Sequence, residues 1–332
     1  MTPDTELLQQ LARLEYRLYG LRHASSHGRR LLLTGGTGTL GYAMVPHLLA
    51  AGFEITILSR DSHRQALMRE QFPQLRFLLG DICDYDTMLE ACLGQDVVIH
   101  AAAQKRVDIG ETSVAEYMRV NVTGTSNVAR AADALDVERA LFISSDKAVQ
   151  PLNFYGLTKA MGERLWTEQA YRPSGPRQRF SVVRYGNVMG SNGSVLHLWR
   201  KRLDAGLPIS VRSPETTRFF MRPLDAVDMV LQALTLMQGG EIFVPQQTQA
   251  FALHDLANAV EPNHANWQLA PLGPREKIHE WLMAPGEYYE EASATLYRIW
   301  PQRSGAYDLP ATMCSGTAPR LSGDTVVKLL EA

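Results

Sequence analysis

Tyr155 and Lys159 are the residues best suited to chemistry, and they stand four apart at the head of a predicted helix. Residues four apart on a helix share a face, so the lysine ammonium can lie beside the tyrosine phenol. A nearby cation favours the phenolate and lowers the pKa of a tyrosine, which makes the phenol a base near neutrality. A Tyr-x-x-x-Lys spacing is common, however, and in isolation it most often joins a surface tyrosine to a solvated lysine.

Three polar residues follow a hydrophobic strand predicted at 140–143, and they give the tyrosine its context. They are Ser145, Asp146 and Lys147, and Tyr155 comes ten residues after the serine. A buried aspartic acid can donate a proton, and a desolvated lysine near another cation can accept one. The alternative is that Asp146 and Lys147 form a salt bridge that only closes a loop.

A glycine-rich loop lies between the first predicted strand, 31–33, and an apolar helix that runs to about residue 51. Glycines here permit a tight turn and let backbone N–H groups approach a pyrophosphate at the helix N-terminus. A glycine-rich loop alone is weak evidence, whereas one between a strand and a helix is strong evidence for a dinucleotide. The residues assigned to this loop are Gly35, Thr37, Gly38, Thr39, Leu40 and Gly41.

The end of the second predicted strand, 54–58, indicates which dinucleotide binds. NAD-binding proteins usually offer the ribose 2′-hydroxyl a carboxylate here, but this chain has Ser59, Arg60 and Asp61. The Arg60 cation suits the 2′-phosphate of NADP; alternatively, Arg60 is a surface residue and Asp61 contacts the ribose. The Asp81 carboxylate is expected to accept a hydrogen bond from the adenine amino group. The remaining predicted cofactor contacts are Ile82, Ala101, Ala102, Ala103 and Asn121, besides Tyr155 and Lys159.

Strands and helices alternate through the first half of the chain, which predicts an α/β fold with a doubly wound parallel sheet of the Rossmann type. We expect a dinucleotide-binding domain at residues 30–188. A smaller lobe at 189–332 is expected to be mainly substrate-binding, with a strand near 241–244 that returns to the sheet. Residues 1–29 are expected to form a helical extension, since leucines recur four and three apart. This helix either docks on its own domain or serves in oligomerisation.

Composition limits the classes of partner. The 332-residue chain has 45% hydrophobic and 20% charged residues and a net charge of −2, which gives no reason to expect nucleic acid or an anionic membrane. No apolar run approaches the roughly 18 residues that span a bilayer, and the N-terminus lacks a signal-peptide core. The three cysteines show no metal or disulfide spacing. We therefore expect no metal and a reducing, cytoplasmic location.

Together these motifs resemble the extended short-chain dehydrogenase/reductase superfamily. Within it, the chain is most similar to the UDP-N-acetylglucosamine 4,6-dehydratase (5-inverting) family of pseudaminic acid biosynthesis. The resemblance covers about residues 30–285 and is most specific in Ser-Ser-Asp-Lys at 144–147, followed by the Tyr-x-x-x-Lys pair. Supporting stretches lie at 104–107, 121–125, 183–188, 217–219, 240–245 and 276–280.

The resemblance implies an NADP-dependent nucleotide-sugar 4,6-dehydratase, a lyase that restores its cofactor in every cycle. Tyr155, helped by Lys159, would remove the proton of the C4 hydroxyl as NADP takes the hydride, and Ser145 would hydrogen-bond the same oxygen. Lys147 would then remove the C5 proton while Asp146 protonates the leaving C6 hydroxyl, and the hydride would return to C6. Inversion at C5 is favoured because Tyr155 stands where several relatives carry methionine.

The predicted substrate-binding edges depart from the family pattern. Lys-His-Val-Pro becomes Lys-Arg-Val-Asp at 105–108, and Arg-Pro-Gly-Glu-Lys becomes Gly-Pro-Arg-Glu-Lys at 273–277. An arginine that grips a pyrophosphate is therefore either Arg275 or Arg218. The predicted substrate contacts are Lys105, Asn187, Val195, Arg218, Arg275 and Glu276. The expected partners are a UDP-sugar and, as is usual in the superfamily, further copies of the chain in a dimer or larger oligomer.

Two other functions use the same fold. A nucleotide-sugar 4-epimerase needs Tyr155 and Lys159 but performs no elimination, so Asp146 and Lys147 speak against it. A non-catalytic NADP-binding protein is the other alternative, because a fold does not fix a function. The intact set of serine, aspartate, tyrosine and lysine argues against that reading.

Overall fold

The computed structural model describes residues 30–170, 178–190, 195–263, 266–273, 275–304 and 309–331. The helical extension predicted for residues 1–29 lies outside them. The strands are β1 (Arg30–Thr34), β2 (Glu54–Ser59), β3 (Arg76–Leu79), β4 (Val97–His100), β5 (Arg139–Ile143), β6 (Arg179–Val183), β7 (Asn187–Val188), β8 (Ile209–Val211), β9 (Thr217–Met221), β10 (Ile242–Pro245), β11 (Gln249–Ala252), β12 (Trp267–Leu269), β13 (Glu287–Glu291) and β14 (Leu296–Ser304).

The helices are α1 (Thr39–Ala50), α2 (Ser62–Gln71), α3 (Tyr85–Cys92), α4 (Val107–Gly110), α5 (Val114–Tyr117), α6 (Thr125–Ala134), α7 (Phe154–Gln169), α8 (Val195–Asp204), α9 (Pro223–Leu236), α10 (Leu253–Val260) and α11 (Gly323–Glu331). A π-helix, Met118–Gly124, joins α5 to α6, and two short 3₁₀ helices lie at Asp146–Ala148 and Ala311–Met313. None of these described helices is long and apolar enough to cross a lipid bilayer.

In the described chain, nine strands form one sheet in the order β13-β14-β10-β6-β5-β4-β1-β2-β3. All neighbours from β10 to β3 run parallel, whereas β14 and β13 are antiparallel additions at one edge. The strand order reverses between β1 and β4, and at such a point a crevice opens at the carboxyl ends of the strands. The predicted doubly wound parallel sheet is confirmed. The antiparallel hairpin of β13 and β14 was not predicted.

Local sequence explains the two turns that matter most for the crevice. The chain leaves β1 at Gly35, whose φ is +71° and whose missing Cβ would lie 2.7 Å from Cα of Ala102. Only glycine adopts this conformation without strain and also fits against the backbone of the next strand end. At the head of α7, the Asn153 side chain accepts a hydrogen bond of 2.8 Å from the N–H of Gly156, which fixes where that helix begins.

Successive residues of the central strands face opposite sides of the sheet, and a hydrophobic core lies on each side. Leu31 and Leu33 face one core, built with α1 and α9, while Leu32 faces the other, which includes Phe142 and Trp166. A third cluster holds the smaller lobe together and contains Trp199, Ile209, Phe251, Leu256 and Val326. The lobe's own strands form a three-stranded sheet, β11-β9-β7, and a two-stranded one, β12-β8.

Candidate active site

A cavity of about 830 Å³ opens at the carboxyl ends of β1, β2, β4 and β5. It extends from the glycine loop after β1 to the head of α7. The predicted site residues that line it are Gly35, Thr37, Gly38, Thr39, Leu40, Gly41, Ser59, Arg60, Asp81, Ile82, Ala101, Ala102, Ala103, Lys105, Ser145, Lys147, Tyr155, Lys159 and Asn187. The fold therefore brings the glycine loop and the tyrosine together, although they are far apart in sequence.

Asn121 does not line this cavity, although it was predicted to contact the cofactor. Its side chain is buried on the π-helix, where it accepts from the N–H of Gln104 (2.8 Å) and donates to the Gln104 carbonyl (2.8 Å). It also donates to Thr158 Oγ1 on α7 (3.0 Å). Asn121 therefore fixes the loop after β4 against the catalytic helix and shapes the cavity wall indirectly.

The Asp81 carboxylate is already engaged by protein groups. Its Oδ2 lies 3.1 Å from Arg119 and 3.7 Å from Arg60, and Glu116 lies 3.6 Å from Arg60. Burial opposes the charged form, but hydrogen bonds from Cys83 and Arg119 and the charge of Arg60 outweigh it and lower the pKa of Asp81. Asp81 thus orients Arg60 at the end of β2, a role that the sequence did not indicate.

Lys105 and Arg64 line the same cavity, and the charge of Arg64 acts on Lys105. Burial and this second cation lower the pKa of Lys105. Lys105 was predicted to contact the sugar. Its charged neighbour Arg64, however, lies in the first turn of α2, shortly after Arg60, which was predicted to contact the cofactor. Three cations therefore converge on the cavity near the end of β2, and the sequence indicated only Arg60 among them for the cofactor.

Tyr155 is partly buried in the first turn of α7, where both Ser145 and Tyr155 line the cavity. Burial raises the pKa of the phenol to about 12, although the charge of Lys147 and the Ser145 hydrogen bond lower it. The expectation that Lys159 lowers this pKa is wrong for this structure. Burial outweighs the cations, and the cation that acts on the phenol is Lys147.

Lys159 directs its ammonium towards the sheet. Its Nζ donates a hydrogen bond to the Ile143 carbonyl and lies 4.0 Å from the centre of the Phe142 ring. Burial lowers the pKa of Lys159 to about 7, although the charge of Glu163, one turn further along α7, raises it. Lys159 is therefore close to half-protonated at neutral pH.

Asp146 is 1% exposed on the turn that follows β5, between Ser145 and Lys147, which both line the cavity. Its Oδ1 accepts hydrogen bonds from Ser145 Oγ (2.8 Å) and Lys147 Nζ (3.2 Å). Its Oδ2 is buried without a hydrogen-bond partner in the described part of the chain. Burial raises the pKa of Asp146 against the lowering effect of Lys147. A carboxyl in such a setting holds a proton nearer neutrality and can donate it.

Lys147 was expected to lose its proton readily, and the resting site does not show this. Burial lowers its pKa, but the charges of Asp146 and Glu280 outweigh burial and raise it. The Lys147 ammonium lies 3.2 Å from Asp146 Oδ1 and 3.5 Å from Glu280 Oε1. The resting lysine is therefore charged and held between two carboxylates.

Sequence reasoning gave no role to Glu280, which belongs to this cluster. The side chain is 3% exposed and comes from the smaller half of the chain, within the stretch 276–280 that supported the family resemblance. The acidic and basic residues of that stretch were the only indication in the sequence of a charged cluster. They do not show whether Glu276 or Glu280 points into the protein.

The remaining predicted substrate contacts are not among the residues that line the cavity. Arg218 donates to the carbonyls of Thr217, Lys277 and Ile278. Arg275 is paired with Glu111, whose other carboxylate oxygen accepts from the N–H of Phe154. Glu276 pairs with Arg212 at 3.2 Å, and Val195 packs on the core of the smaller lobe. The structure therefore does not bring either candidate arginine to the cavity.

The family described as polysaccharide biosynthesis protein matches residues 31–300 of this chain. The chain is 36% identical over 263 residues to the UDP-N-acetylglucosamine 4,6-dehydratase (inverting) of Campylobacter jejuni, covering 77% of this chain and 78% of that protein. It is 38% identical over 270 residues to a UDP-glucose 4-epimerase of Rickettsia rickettsii, covering 78% and 79%. The X-ray structure of Pen from Bacillus thuringiensis superposes with a TM-score of 0.83 at 31% identity, covering 91% of this chain and 98% of that one.

The fold, the glycine loop and the Tyr-x-x-x-Lys helix define an extended short-chain dehydrogenase/reductase. This chain belongs to the polysaccharide biosynthesis protein family. Its relatives include a nucleotide-sugar dehydratase and a nucleotide-sugar epimerase. It is therefore an enzyme of the nucleotide-sugar dehydratase/epimerase family.

Proposed function

We propose that this protein is an NADP-dependent nucleotide-sugar 4,6-dehydratase that acts on UDP-N-acetylglucosamine or a close relative. The observation that carries this proposal is the Asp146–Lys147 pair, in which Asp146 Oδ1 accepts hydrogen bonds from both Ser145 Oγ and Lys147 Nζ. Redox chemistry at C4 needs only a group that moves the hydroxyl proton, whereas elimination of water also needs an acid and a base. The pair supplies both.

One proton shift turns the resting ion pair into an acid and a base. Transfer from Lys147 Nζ to Asp146 Oδ1, across 3.2 Å, leaves a neutral amine and a carboxylic acid without changing the total charge. The amine can remove the C5 proton, and the acid can protonate the leaving C6 hydroxyl. A sugar that enters the cavity displaces water, and this favours the uncharged form of the pair because desolvation penalises charges.

Tyr155 and Ser145 act on the oxygen at C4. When bound, NADP accepts the hydride from C4 and returns it to C6, so the cycle involves no net oxidation. The Ser145 side chain lines the cavity with Tyr155 and favours the ionised phenol, and its hydroxyl can hold the C4 oxygen beside the phenol. The Lys147 charge acts on the phenol and favours its ionised form. The ketone formed at C4 makes the C5 proton acidic, which prepares the step assigned to Lys147.

A UDP-glucose 4-epimerase is the second candidate, because proteins of that name are among the relatives of the chain. An epimerase returns the hydride to C4 and needs no acid for the C6 hydroxyl. A buried Asp146 with a raised pKa has no task in that reaction. The proposed dehydratase inverts C5, because Tyr155 stands where several relatives carry methionine.

We further propose that the 2′-phosphate of NADP binds among Arg60, Arg64 and Lys105. All three line the cavity near the end of β2, where the ribose 2′-group of a dinucleotide lies in this fold. Arg64 is already paired with Asp61 (Nε–Oδ2, 3.2 Å), and a phosphate would supply a further anion for Arg64 and Lys105, so the donor set fits a phosphate better than a hydroxyl. Asp81 and Glu116 keep Arg60 oriented until the phosphate arrives.

Incubation of the protein with UDP-N-acetylglucosamine in deuterium oxide, followed by mass spectrometry and proton NMR, tests the activity. We expect loss of water, a new methyl group, one deuterium at C5 and the coupling pattern of an inverted centre. A C4 epimer of unchanged mass would show instead that the Asp146–Lys147 pair is structural. Absence of any product with this and other UDP-sugars would favour a binding protein.

Two variants separate elimination from C4 chemistry. Asp146→Asn is expected to abolish methyl formation while reduced cofactor still appears in a single turnover, because the amide cannot protonate the leaving hydroxyl. Asp255→Asn, at a half-exposed side chain on α10, is the matched control and should leave the product yield unchanged. Equal loss of both signals in Asp146→Asn at an unchanged melting temperature would contradict the assignment.

Titration with NADP and NAD tests the phosphate site. Arg64→Gln and Lys105→Gln should each weaken NADP binding about tenfold, since a charge-assisted hydrogen bond contributes about 1.5–3 kcal/mol. NAD binding should change little. Arg69→Gln, an exposed position on the same helix α2, is the control. Equal weakening of both dinucleotides would contradict a 2′-phosphate role.

A further inference from the structure

Glu280 lies at the centre of a buried group of cations behind the Asp146–Lys147 pair. Its Oε1 is 3.5 Å from Lys147 Nζ and 4.0 Å from Arg218 Nε, and its Oε2 is 3.3 Å from Lys277 Nζ. These three cations lie on the turn after β5, on strand β9 and on the segment before Glu280 itself. A buried carboxylate with three cationic neighbours stays ionised, and the pKa of Glu280 is lowered although burial opposes this.

The backbone holds Glu280 firmly in this place. Its N–H donates to Ser315 Oγ (2.8 Å), and its carbonyl accepts from the N–H of Ser315 (2.9 Å). Lys277 is fixed in turn, because its Nζ also donates to the carbonyl of Val149 on the turn that carries Asp146 and Lys147. The Glu280 carboxylate is therefore linked to the catalytic turn in two ways, directly through Lys147 and indirectly through Lys277.

Two carboxylates share the Lys147 ammonium, and their surroundings differ. Asp146 faces Lys147, Glu280 and Tyr155, and both burial and the charge of Glu280 raise its pKa. Glu280 faces Lys147, Lys277 and Arg218, which lower its own. Two carboxyl groups whose pKa values are pushed apart commonly mark one group that holds a proton and one that stays charged.

We infer that Glu280 is a positioning residue for the elimination step: it holds the Lys147 ammonium against Asp146 and keeps one proton on that pair. The inference rests on the proposed dehydratase function. Without Glu280, the cations Lys277 and Arg218 would act on the Asp146–Lys147 pair unopposed and favour the loss of its one proton. The pair would then lack the acid that the C6 hydroxyl needs, whereas oxidation at C4 would proceed.

The pH dependence of kcat/KM for methyl formation tests this role. Two ionisations of the coupled pair bound the active, singly protonated form, so the profile is a bell with one limb for each. Glu280→Gln removes a negative charge about 3.5 Å from Lys147. Both limbs should therefore move to lower pH together, by about one to two units, since a charge at this distance shifts a pKa by that amount.

A second variant should shift the pH profile of kcat/KM in the opposite direction. Lys277→Met removes a cation beside Glu280, so both limbs should move to higher pH. In both variants KM for the nucleotide-sugar should be unchanged, and the single-turnover appearance of reduced cofactor should change much less than methyl formation. This split separates the proposed role from a structural one, which would lower oxidation and elimination together at every pH.

Each outcome decides the matter. Limbs that stay in place in both variants, or that move in the same direction, would overturn the inference while the dehydratase assignment stands on the wild-type product. If Glu280→Gln does not fold, as judged by its melting curve, the direction of the Lys277→Met shift decides alone. If the wild-type protein forms no methyl product, it is the proposed function that fails.

Discussion

Arg184 joins the catalytic helix to the smaller half of the chain, and its replacement by methionine should be strongly destabilising. The side chain is buried after β6. It forms a two-fold contact with Glu163 of α7, with Nε–Oε1 at 2.9 Å and Nη2–Oε2 at 2.8 Å. It forms a second with Glu287 of β13, at 3.1 Å for both contacts, and it donates to the Leu282 carbonyl at 3.0 Å.

The magnitude follows from what the substitution leaves behind. Among the described residues, the Ser144 hydroxyl at 2.6 Å is the one remaining side-chain hydrogen-bond donor to the buried Glu163 after Arg184→Met. Removal of one partner of a buried ion pair costs about 3–5 kcal/mol because the other charge is left without compensation. We therefore expect the free energy of unfolding to fall by about 3–5 kcal/mol.

Denaturant unfolding of the variant and the wild-type protein at pH 7, with matched m-values, measures the effect. The double variant Arg184→Met/Glu163→Gln should recover part of the loss, because it removes the stranded charge. Arg30→Met is the control: its ion pair with Asp96 lies at the surface and should contribute at most about 1 kcal/mol. A loss below about 1 kcal/mol for Arg184→Met, or a double variant less stable than the single one, would refute the reasoning.

Two further predictions concern the cavity. Lys159→Met should abolish activity but raise the free energy of unfolding at pH 6. The pKa of Lys159 in the folded protein is about 7, so below that pH the wild-type protein must bury a charged ammonium, which destabilises it. This gain should shrink as the pH rises from 7 towards 10 and only the unfolded lysine stays protonated. Gly35→Ala should destabilise by about 1–3 kcal/mol or more, because φ is +71° and the Cβ would meet Ala102 at 2.7 Å; melting curves with and without NADP would also show weaker cofactor binding.

The sequence was informative wherever a function depends on a few consecutive residues. A buried strand, a glycine turn and a helix are specified locally, so the loop that begins at Gly35 could be assigned to a phosphate from its own residues and their immediate neighbours. The same holds for the stretch from Ser145 to Lys159. Once β5 ends and α7 begins within it, the serine, the lysine and the tyrosine must lie close together. Gly156 allows this approach, because a Cβ there would lie 2.3 Å from the Lys147 carbonyl oxygen.

Side-chain partners that come from distant parts of the chain could not be read in this way. Arg218 was one of two arginines predicted to grip a pyrophosphate, and in the structure its guanidinium donates hydrogen bonds to three carbonyls. Asn121 was assigned to the cofactor, but it holds a loop. Spacing along the chain says which residues share an element, while the direction of a side chain depends on which element packs against it.

Tertiary structure alone also decided the charge states. A Tyr-x-x-x-Lys spacing predicts a cation beside a phenol, yet burial keeps the pKa of Tyr155 at about 12 and lowers that of Lys159 to about 7. Glu280 reaches the Asp146–Lys147 pair only through folding of the smaller half of the chain. The residue types and the local elements were thus determined by the sequence. Their proton affinities were set by burial and by charges from distant segments, because both depend on the packed three-dimensional surroundings.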